Sequence, residues 1–339
     1  MAQHRIGKQT IVFPGKPGIL SSAAVVGPKE GRGPLADGFD LVVNDALFNQ
    51  ESYEQAEHAI FREACEKCLK KGNFSNTDVQ AMLGGDLLNQ IMAASLSARE
   101  LSIPFLGLYG ACSTMAESLI LGAILVDGGY AAPVLCVAGS HFCTAERQYR
   151  YPLEYGNQRT PAAQWTVTGT GACLLGVSSN PWARITHATA GRVVDMGIKD
   201  ANNMGAAMAP AAADTLIAHF RDTGRTPQDY DQIISGDLGR IGSEILTELM
   251  KKNDYLLTQD NYMDCGLKIF DPRDDVHAGG SGCGCSATTL SAYILPKIRK
   301  REWKRVLFMA TGALLSTTTS QQGETIPGVA HALVLEGEM

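Results

Sequence analysis

One cysteine of the chain has the surroundings of a nucleophile. Cys112 stands in Gly110-Ala111-Cys112-Ser113, after the apolar segment Phe105 to Tyr109 and before the apolar segment Thr114 to Gly128. A strand that turns into a helix puts the sulfur near backbone N–H groups at the positive helix end, which lowers the pKa of a thiol. The alternative is that Cys112 only fills a small buried space between helix and sheet.

The segments around Cys112 alternate between short strands and helices. Apolar residues at three- and four-residue steps predict an amphipathic helix from Glu54 to Lys71. Short apolar runs that end in glycine predict strands. The remaining predicted elements are a strand at Gln80 to Leu87, helices at Leu88 to Leu101, Ala209 to Gly224 and Gly242 to Asn253, strands at Pro133 to Ala138, Gln232 to Leu238 and Val306 to Gly312, and a helix from Gly279-Gly280-Ser281-Gly282 through Ile298.

Two coincidences predict an internal duplication. Gly85-Asp86-Leu87 matches Gly236-Asp237-Leu238, and Cys112 precedes Gly139 by the same 27 residues that separate Cys285 from Gly312. Strands that alternate with helices imply right-handed βαβ units and mostly parallel sheets covered by helices. We therefore predict an α/β layered sandwich of two similar halves, residues 1–180 with Cys112 and a cap segment at 141–166, and residues 181–339.

The bulk composition excludes several classes of protein. The 339 residues are 45% hydrophobic, and the net charge of −6 has no basic cluster except Lys297 to Arg305, so we expect no nucleic-acid partner. No apolar run approaches the ~20 residues that span a bilayer, and the amino terminus has no signal core. We expect a cytoplasmic protein with nine reduced cysteines. Neither Cys65-x-x-Cys68 nor the glycines at 279–284 predict a metal or nucleotide site, and we expect no cofactor.

The duplicated order, the Cys112 turn and Ala310-Thr311-Gly312-Ala313-Leu314-Leu315-Ser316 together resemble the thiolase and ketoacyl synthase superfamily. The resemblance implies a nucleophilic cysteine assisted by two bases from glycine turns of the second half. Those positions align with Gly236 and Gly280, neither of which carries a base. His277 remains an alternative base if the loop is read in another register. The alternatives are thus a binding protein without catalysis and an acyltransferase that uses Cys112 with His277.

Further segments narrow the resemblance to the stage V sporulation protein AD family. They are Gly84 to Gln90, Gly110 to Thr114, Thr144 to Pro152, Met208 to Asp214 and Gly279 to Cys283. This resemblance implies a protein that binds dipicolinic acid (pyridine-2,6-dicarboxylate) and aids its uptake with calcium into the developing spore. It also implies membrane proteins of the same transport system as partners, and a place beside the spore inner membrane. A third alternative is a purely structural subunit of that system. Relatives of this fold make a homodimer the default expectation.

A flat dianion requires oriented N–H donors and one or two cations. The donors expected here are backbone groups after Cys112, at Ser113, and in the second glycine turn, at Gly280 and Ser281. The cap segment supplies candidate cations and polar neighbours for this ligand site. These are His141, Glu146, Arg147 and Arg150. Asp237 is a candidate to orient a donor or to meet calcium, although capping of the next helix is the simpler role.

Overall fold

The computed structural model describes residues 3–149 and 159–338. Its strands and helices agree with the predicted order, with small shifts at the ends. The strands are β1 Arg5–Ile6, β2 Thr10–Val12, β3 Gly18–Val26, β4 Leu41–Val42, β5 Ala81–Gly85, β6 Phe105–Gly107, β7 Val134–Ser140, β8 Trp165–Thr166, β9 Gly169–Gly176, β10 Ala183–Thr189, β11 Gln232–Ser235, β12 Tyr262–Asp264, β13 Gly280–Ser281, β14 Arg305–Ala313 and β15 Gly328–Glu336. The helices are α1 Tyr53–Gly72, α2 Met92–Leu101, α3 Thr114–Asp127, α4 Phe142–Tyr149, α5 Met204–Thr223, α6 Gly239–Lys251, α7 Cys265–Lys268, α8 Cys283–Thr289, α9 Leu295–Arg299 and α10 Thr317–Gln321.

The main sheet contains two groups of five strands with the same internal arrangement. In the first group, β6, β5 and β7 are parallel, and β9 and β3 follow antiparallel. In the second, β12, β11 and β14 are parallel, and β15 and β10 follow antiparallel. The groups join where Ala183 pairs with Ile19 and Arg184 with Gly18. This repeated order is what a duplication predicts, while the division at residue 180 stays a prediction.

Helices lie between the two strand groups and on both outer faces. A core of buried side chains from α3 and α8 packs against both groups, which explains why Thr114–Asp127 is apolar on all sides. A second core lies between α5, α6 and the group containing β14. A third lies between α1, α2 and the group containing β7. The predicted thiolase-like layered α/β fold is confirmed, with five layers in the order helix, sheet, helix, sheet, helix.

Some element boundaries differ from the prediction for local reasons. The second helix begins at Met92 rather than Leu88, because Gln90 and Ile91 adopt positive φ angles of 61° and 49°. The helix after the second glycine turn begins at Cys283, where Gly282 has a φ of 97°. Helix α5 begins five residues before the predicted start, at Met204, and includes Pro210 in its interior.

No helix within residues 3–149 and 159–338 combines the length and the apolar character needed to cross a membrane.

Candidate functional site

The Cys112 turn joins β6 to α3 and is held against the end of β14. The backbone N–H and the hydroxyl of Ser113 both donate to the Gly110 carbonyl, at 3.0 and 2.7 Å. Ala111 adopts a φ of 50°, a left-handed conformation that costs free energy for a residue with a side chain. Gly312 meets the turn so closely that a Cβ there would lie 2.5 Å from the Gly110 oxygen. The two halves of the fold thus fix the position of Cys112 together.

Cys112 lies on the wall of a cavity of about 430 Å³, part of which is open to solvent. Its thiol is buried, with 6% of the residue exposed. Among the described residues, no lysine, arginine or histidine lines this cavity, and the lining residues with polar side chains carry a thiol or a hydroxyl group. The lining residues are Leu87, Tyr109, Ala111, Cys112, Ala145, Tyr149, Thr166, Met204, Ser281, Gly282, Ala313 and Leu315.

Asp237 is the carboxylate next to Cys112. It is 1% exposed, and its charge acts on the Cys112 thiol. The Thr311 hydroxyl and the Gly282 N–H donate to its two carboxylate oxygens, at 2.6 and 2.9 Å. Burial raises the pKa of Asp237 to about 7, against the opposing effect of these donors. Burial first, and the neighbouring Asp237 carboxylate second, raise the pKa of the Cys112 thiol well above its usual range.

This arrangement reverses the expected chemistry of the turn. A helix end was predicted to lower the pKa of Cys112, but desolvation and a neighbouring negative charge outweigh that effect. The Gly282 N–H, one of the donors predicted to receive a ligand carboxylate, already binds the Asp237 carboxylate. The group that faces the start of α8 is therefore an acid of the protein itself.

The helix-capping role considered for Asp237 belongs to Asp264. The N–H groups of Leu238 and Gly239, at the start of α6, donate to Asp264 at 2.9 and 3.0 Å. The Ser235 hydroxyl donates to the same carboxylate at 2.6 Å. Asp264 ends β12, the strand parallel to β11, so its side chain reaches the turn between β11 and α6. This pairing of neighbouring strands was not predicted from the sequence.

The two glycines aligned with the family's bases lie away from the cavity. A Cβ at Gly280 would meet Ile269 and Phe270 at 2.9 and 3.2 Å. A Cβ at Gly236 would meet Ala310 at 3.1 Å, inside the central core. The Gly280 carbonyl accepts a hydrogen bond from the Gln164 amide at 2.9 Å.

The alternative base His277 does not line the cavity either. Its Nε2 lies 3.3 Å from an Asp275 carboxylate oxygen. Its φ of 49° places it in a left-handed turn.

The structure separates most of the predicted cap residues from the cavity. His141 is fully buried, with its Nε2 2.8 Å from the Ala46 carbonyl oxygen and its Nδ1 accepting from the Cys143 N–H at 3.2 Å. Arg147 forms an ion pair with Glu54. Glu146 is buried, and its neighbour Ala145 is the residue that reaches the cavity. Arg150 lies outside the described residues.

Of the predicted ligand-binding residues, Cys112 and Ser281 line the cavity. Ser113 contacts Gly110 instead, and Asp237 does not line the cavity, although its charge acts on Cys112. Tyr109 and Tyr149 line the cavity and were not predicted. Their hydroxyl oxygens are 2.7 Å apart, and the Tyr149 hydroxyl also donates to the Leu87 carbonyl. Their positions in the sequence could have indicated this role, because Tyr109 ends the strand before Cys112 and Tyr149 lies in the cap segment.

Comparisons with solved structures establish the fold. A 3-oxoacyl-[acyl-carrier-protein] synthase III from Aquifex aeolicus VF5 is 13% identical, with a TM-score of 0.60 over 94% of this chain and 99% of that one. An OleA variant from Xanthomonas campestris is 11% identical, with a TM-score of 0.64 over 96% and 98% of the two chains. The human mitochondrial 3-ketoacyl-CoA thiolase is 12% identical, with a TM-score of 0.58 over 95% and 99%. These similarities concern the fold alone.

Comparisons of sequence are closer. The family model for stage V sporulation protein AD (SpoVAD) matches residues 7–336. Stage V sporulation protein AD of Bacillus subtilis (strain 168) is 46% identical over 330 residues, which are 97% of each chain. This extent and identity confirm the family predicted from the sequence. The chain therefore belongs to the stage V sporulation protein AD family, with a thiolase-like fold.

Proposed function

We propose that this protein binds dipicolinic acid without chemical turnover and aids its uptake, with calcium, into the developing spore. Membership of the stage V sporulation protein AD family supports a role in sporulation. The burial of the Cys112 thiol near the buried Asp237 carboxylate carries the non-catalytic part of the proposal. Thiolate is the form of cysteine that attacks a thioester, and both burial and the Asp237 charge disfavour it here.

The cavity next to Cys112 is the proposed binding site. It is partly open to solvent, and its lining combines apolar side chains with a few hydroxyl groups, as is usual for small-molecule sites. Tyr109 and Tyr149 offer flat aromatic rings, and Thr166 and Ser281 offer hydroxyl groups beside Cys112. Hydroxyl groups donate hydrogen bonds to carboxylates, so these residues suit an aromatic diacid. The Asp237 charge is met by its own donors, which lessens its repulsion of an anion.

The cations predicted for the ligand need separate tests. Arg147 is engaged by Glu54, and we leave it and His141 out of the proposed site. Arg150 follows Tyr149 directly in the chain and remains our candidate for pairing with a ligand carboxylate. Calcium would then arrive with the ligand, since within the described residues no group of three acidic, histidine or cysteine side chains is placed to hold a metal ion.

Isothermal titration tests the binding proposal. We expect binding of dipicolinate, weaker binding of benzoate as a one-carboxylate control, and loss of dipicolinate binding in Ala313→Phe, which fills the cavity. Val177→Phe, at a position that is 83% exposed, is the matched control and should bind normally. Equal affinity for benzoate, or unchanged binding by Ala313→Phe, would refute the proposal. A Cys112 thioester after incubation with acyl-CoA, found by mass spectrometry, would instead favour the acyltransferase.

We further propose that the basic segment Lys297 to Arg305 contacts the membrane side of the transport system. Arg299, Lys300, Arg301 and Lys304 are exposed, with Arg299 stacked 4.5 Å from the Trp182 ring. Basic residues beside an aromatic ring favour an anionic membrane surface. Reversing three of these charges should reduce co-sedimentation with membranes from sporulating cells. The same reversal at Arg99, Lys251 and Lys252 should have no effect, and equal effects of both sets would contradict the proposal.

A homodimer through the edge of the first strand group is also proposed. β6 is the end strand of that group, and Leu106 and Tyr109 beside it are 55% and 47% exposed. An unpaired edge with exposed apolar residues is suited to pairing with a second copy. Sedimentation should therefore give a dimer for the native chain and a monomer for Leu106→Lys, and a monomeric native chain would overturn this proposal.

A further inference from the structure

Helix α1, helix α4 and the segment after β5 meet around two buried carboxyl groups, beside the cavity. Glu57 of α1 and Asp86, directly after β5, are 1% and 0% exposed. One Glu57 oxygen accepts a hydrogen bond from the Thr144 hydroxyl of α4 at 2.6 Å, and the other has no hydrogen-bond partner. Asp86 accepts from the N–H groups of Leu88 and Ala94 at 2.8 and 2.7 Å. Glu57 therefore has a free site for a proton, whereas Asp86 is held by backbone donors.

Helix α4 forms one wall of the cavity and is attached at the place where these acids lie. Ala145 and Tyr149 of α4 line the cavity. The Gln148 amide donates to the Leu87 carbonyl at 2.8 Å and accepts from the Asn89 N–H at 3.0 Å. The Tyr149 hydroxyl donates to the same Leu87 carbonyl. The segment that follows Asp86 and the Glu57–Thr144 contact thus hold the wall in place.

The charges around the pair favour one shared proton. Burial, followed by the Asp86 charge, raises the pKa of Glu57 well above its usual range, and burial raises the pKa of Asp86 to about 6. The other titratable groups facing the pair are Glu54 of α1, itself paired with Arg147 of α4, the Cys283 thiol of α8, and Tyr109. The Asp86 and Glu54 charges both raise the pKa of Glu57, so ionising both carboxyls produces repulsion inside the protein.

We propose that Glu57 is a positioning residue that, with Asp86, makes the docking of α4 and hence access to the cavity depend on one proton. With that proton present, the carboxyls tolerate each other and α4 closes the wall through Thr144. When both are ionised, repulsion separates α1 from the segment after Asp86, and α4 is released. The inference rests on the proposed function only in taking this cavity as the ligand site.

Hydrogen exchange of the α4 amides, measured without ligand and corrected for intrinsic pH dependence, tests the inference. Protection in the native chain should be lower at pH 8 than at pH 5.5, because groups of raised pKa stabilise the docked state only while they hold their proton. Equal protection at the two pH values would overturn the proposal. Glu57→Gln is neutral at every pH and should show no such fall. An equal fall in Glu57→Gln would overturn the proposal.

Two further variants separate this role from a purely structural one. Thr144→Val removes the link to Glu57 and should lower α4 protection at both pH values. Glu117→Gln removes another carboxyl of raised pKa, on α3, and should keep the native pH dependence. A Glu117→Gln profile that is flat with pH would contradict the assignment to Glu57. Because no ligand is present, failure here is distinguishable from failure of dipicolinate to bind.

Discussion

The thiol of Cys112 is buried near the carboxylate of Asp237, at the wall of the cavity that Tyr109 and Tyr149 also line. The Asp237 charge raises the pKa of this thiol in addition to the effect of burial. A negative charge next to a thiol disfavours the thiolate, which is the form of cysteine that acts as a nucleophile. Burial and the Asp237 charge therefore both favour the neutral thiol of Cys112.

The first prediction concerns the reactivity of Cys112. Asp237→Asn removes the negative charge and should speed alkylation of Cys112 by iodoacetamide at pH 8, because the thiolate is then less disfavoured. Site-resolved mass spectrometry distinguishes Cys112 from the other cysteines. Glu30→Gln, which neutralises a buried carboxyl elsewhere, should leave the rate unchanged. Slower alkylation in Asp237→Asn would contradict the electrostatic account.

The second prediction concerns the cap of α6. Asp264→Ala leaves the N–H groups of Leu238 and Gly239 without their acceptor and should lower the free energy of unfolding by about 2 kcal/mol. Denaturant unfolding measures the change. Asp78→Ala, at an exposed cap of a single helical turn, is the control and should cost less. Equal costs for the two variants would argue against the capping role of Asp264.

The third prediction concerns stability against pH. Burial raises the pKa of Glu30 from 4.5 to about 7, so the folded state holds this proton more tightly than the unfolded state. The corresponding stabilisation is present below about pH 4.5 and is lost as pH rises through about 7, in total about 3 kcal/mol. Glu30→Gln should therefore lose less stability than the native chain between pH 5 and pH 8. Parallel losses in the two proteins would contradict this assignment.

The fourth prediction concerns the close approach of β14 to the Cys112 turn. A methyl group at Gly312 would lie 2.5 Å from the Gly110 oxygen, so Gly312→Ala must displace backbone and should cost about 1–3 kcal/mol of stability. At Gly176 the nearest atom is a methyl of the Leu20 side chain, at 2.8 Å, which can move. Gly176→Ala should therefore cost less, and thermal unfolding of both variants measures the difference.

Much of the fold could be predicted from the sequence, because periodicity and glycine turns mark the elements directly. The prediction of a helix from Glu54 to Lys71 is confirmed by α1 at Tyr53–Gly72. The duplication was visible because both halves keep the same spacing. Boundaries were harder where backbone conformation departs from residue preference, as at Gln90 and Ile91.

The site was predictable only in part, because it depends on which strands become neighbours. Cys112 was found from its turn, but the contact with Asp237 requires β11 and β14 to be placed beside each other. Asp264 rather than Asp237 caps α6, because β12, which Asp264 ends, lies next to β11. His141 contacts Ala46, in the loop before α1, and Arg147 contacts Glu54, in the first turn of α1, and both partners are far away in sequence. No local pattern indicates such pairings.

The most direct test of the central claim is a crystal structure of the protein soaked with dipicolinate. The account predicts the ligand bound without a covalent bond in the cavity beside Cys112, in contact with Tyr109, Tyr149 and Ser281. Dipicolinate bound at another place, with this cavity unchanged, would contradict it.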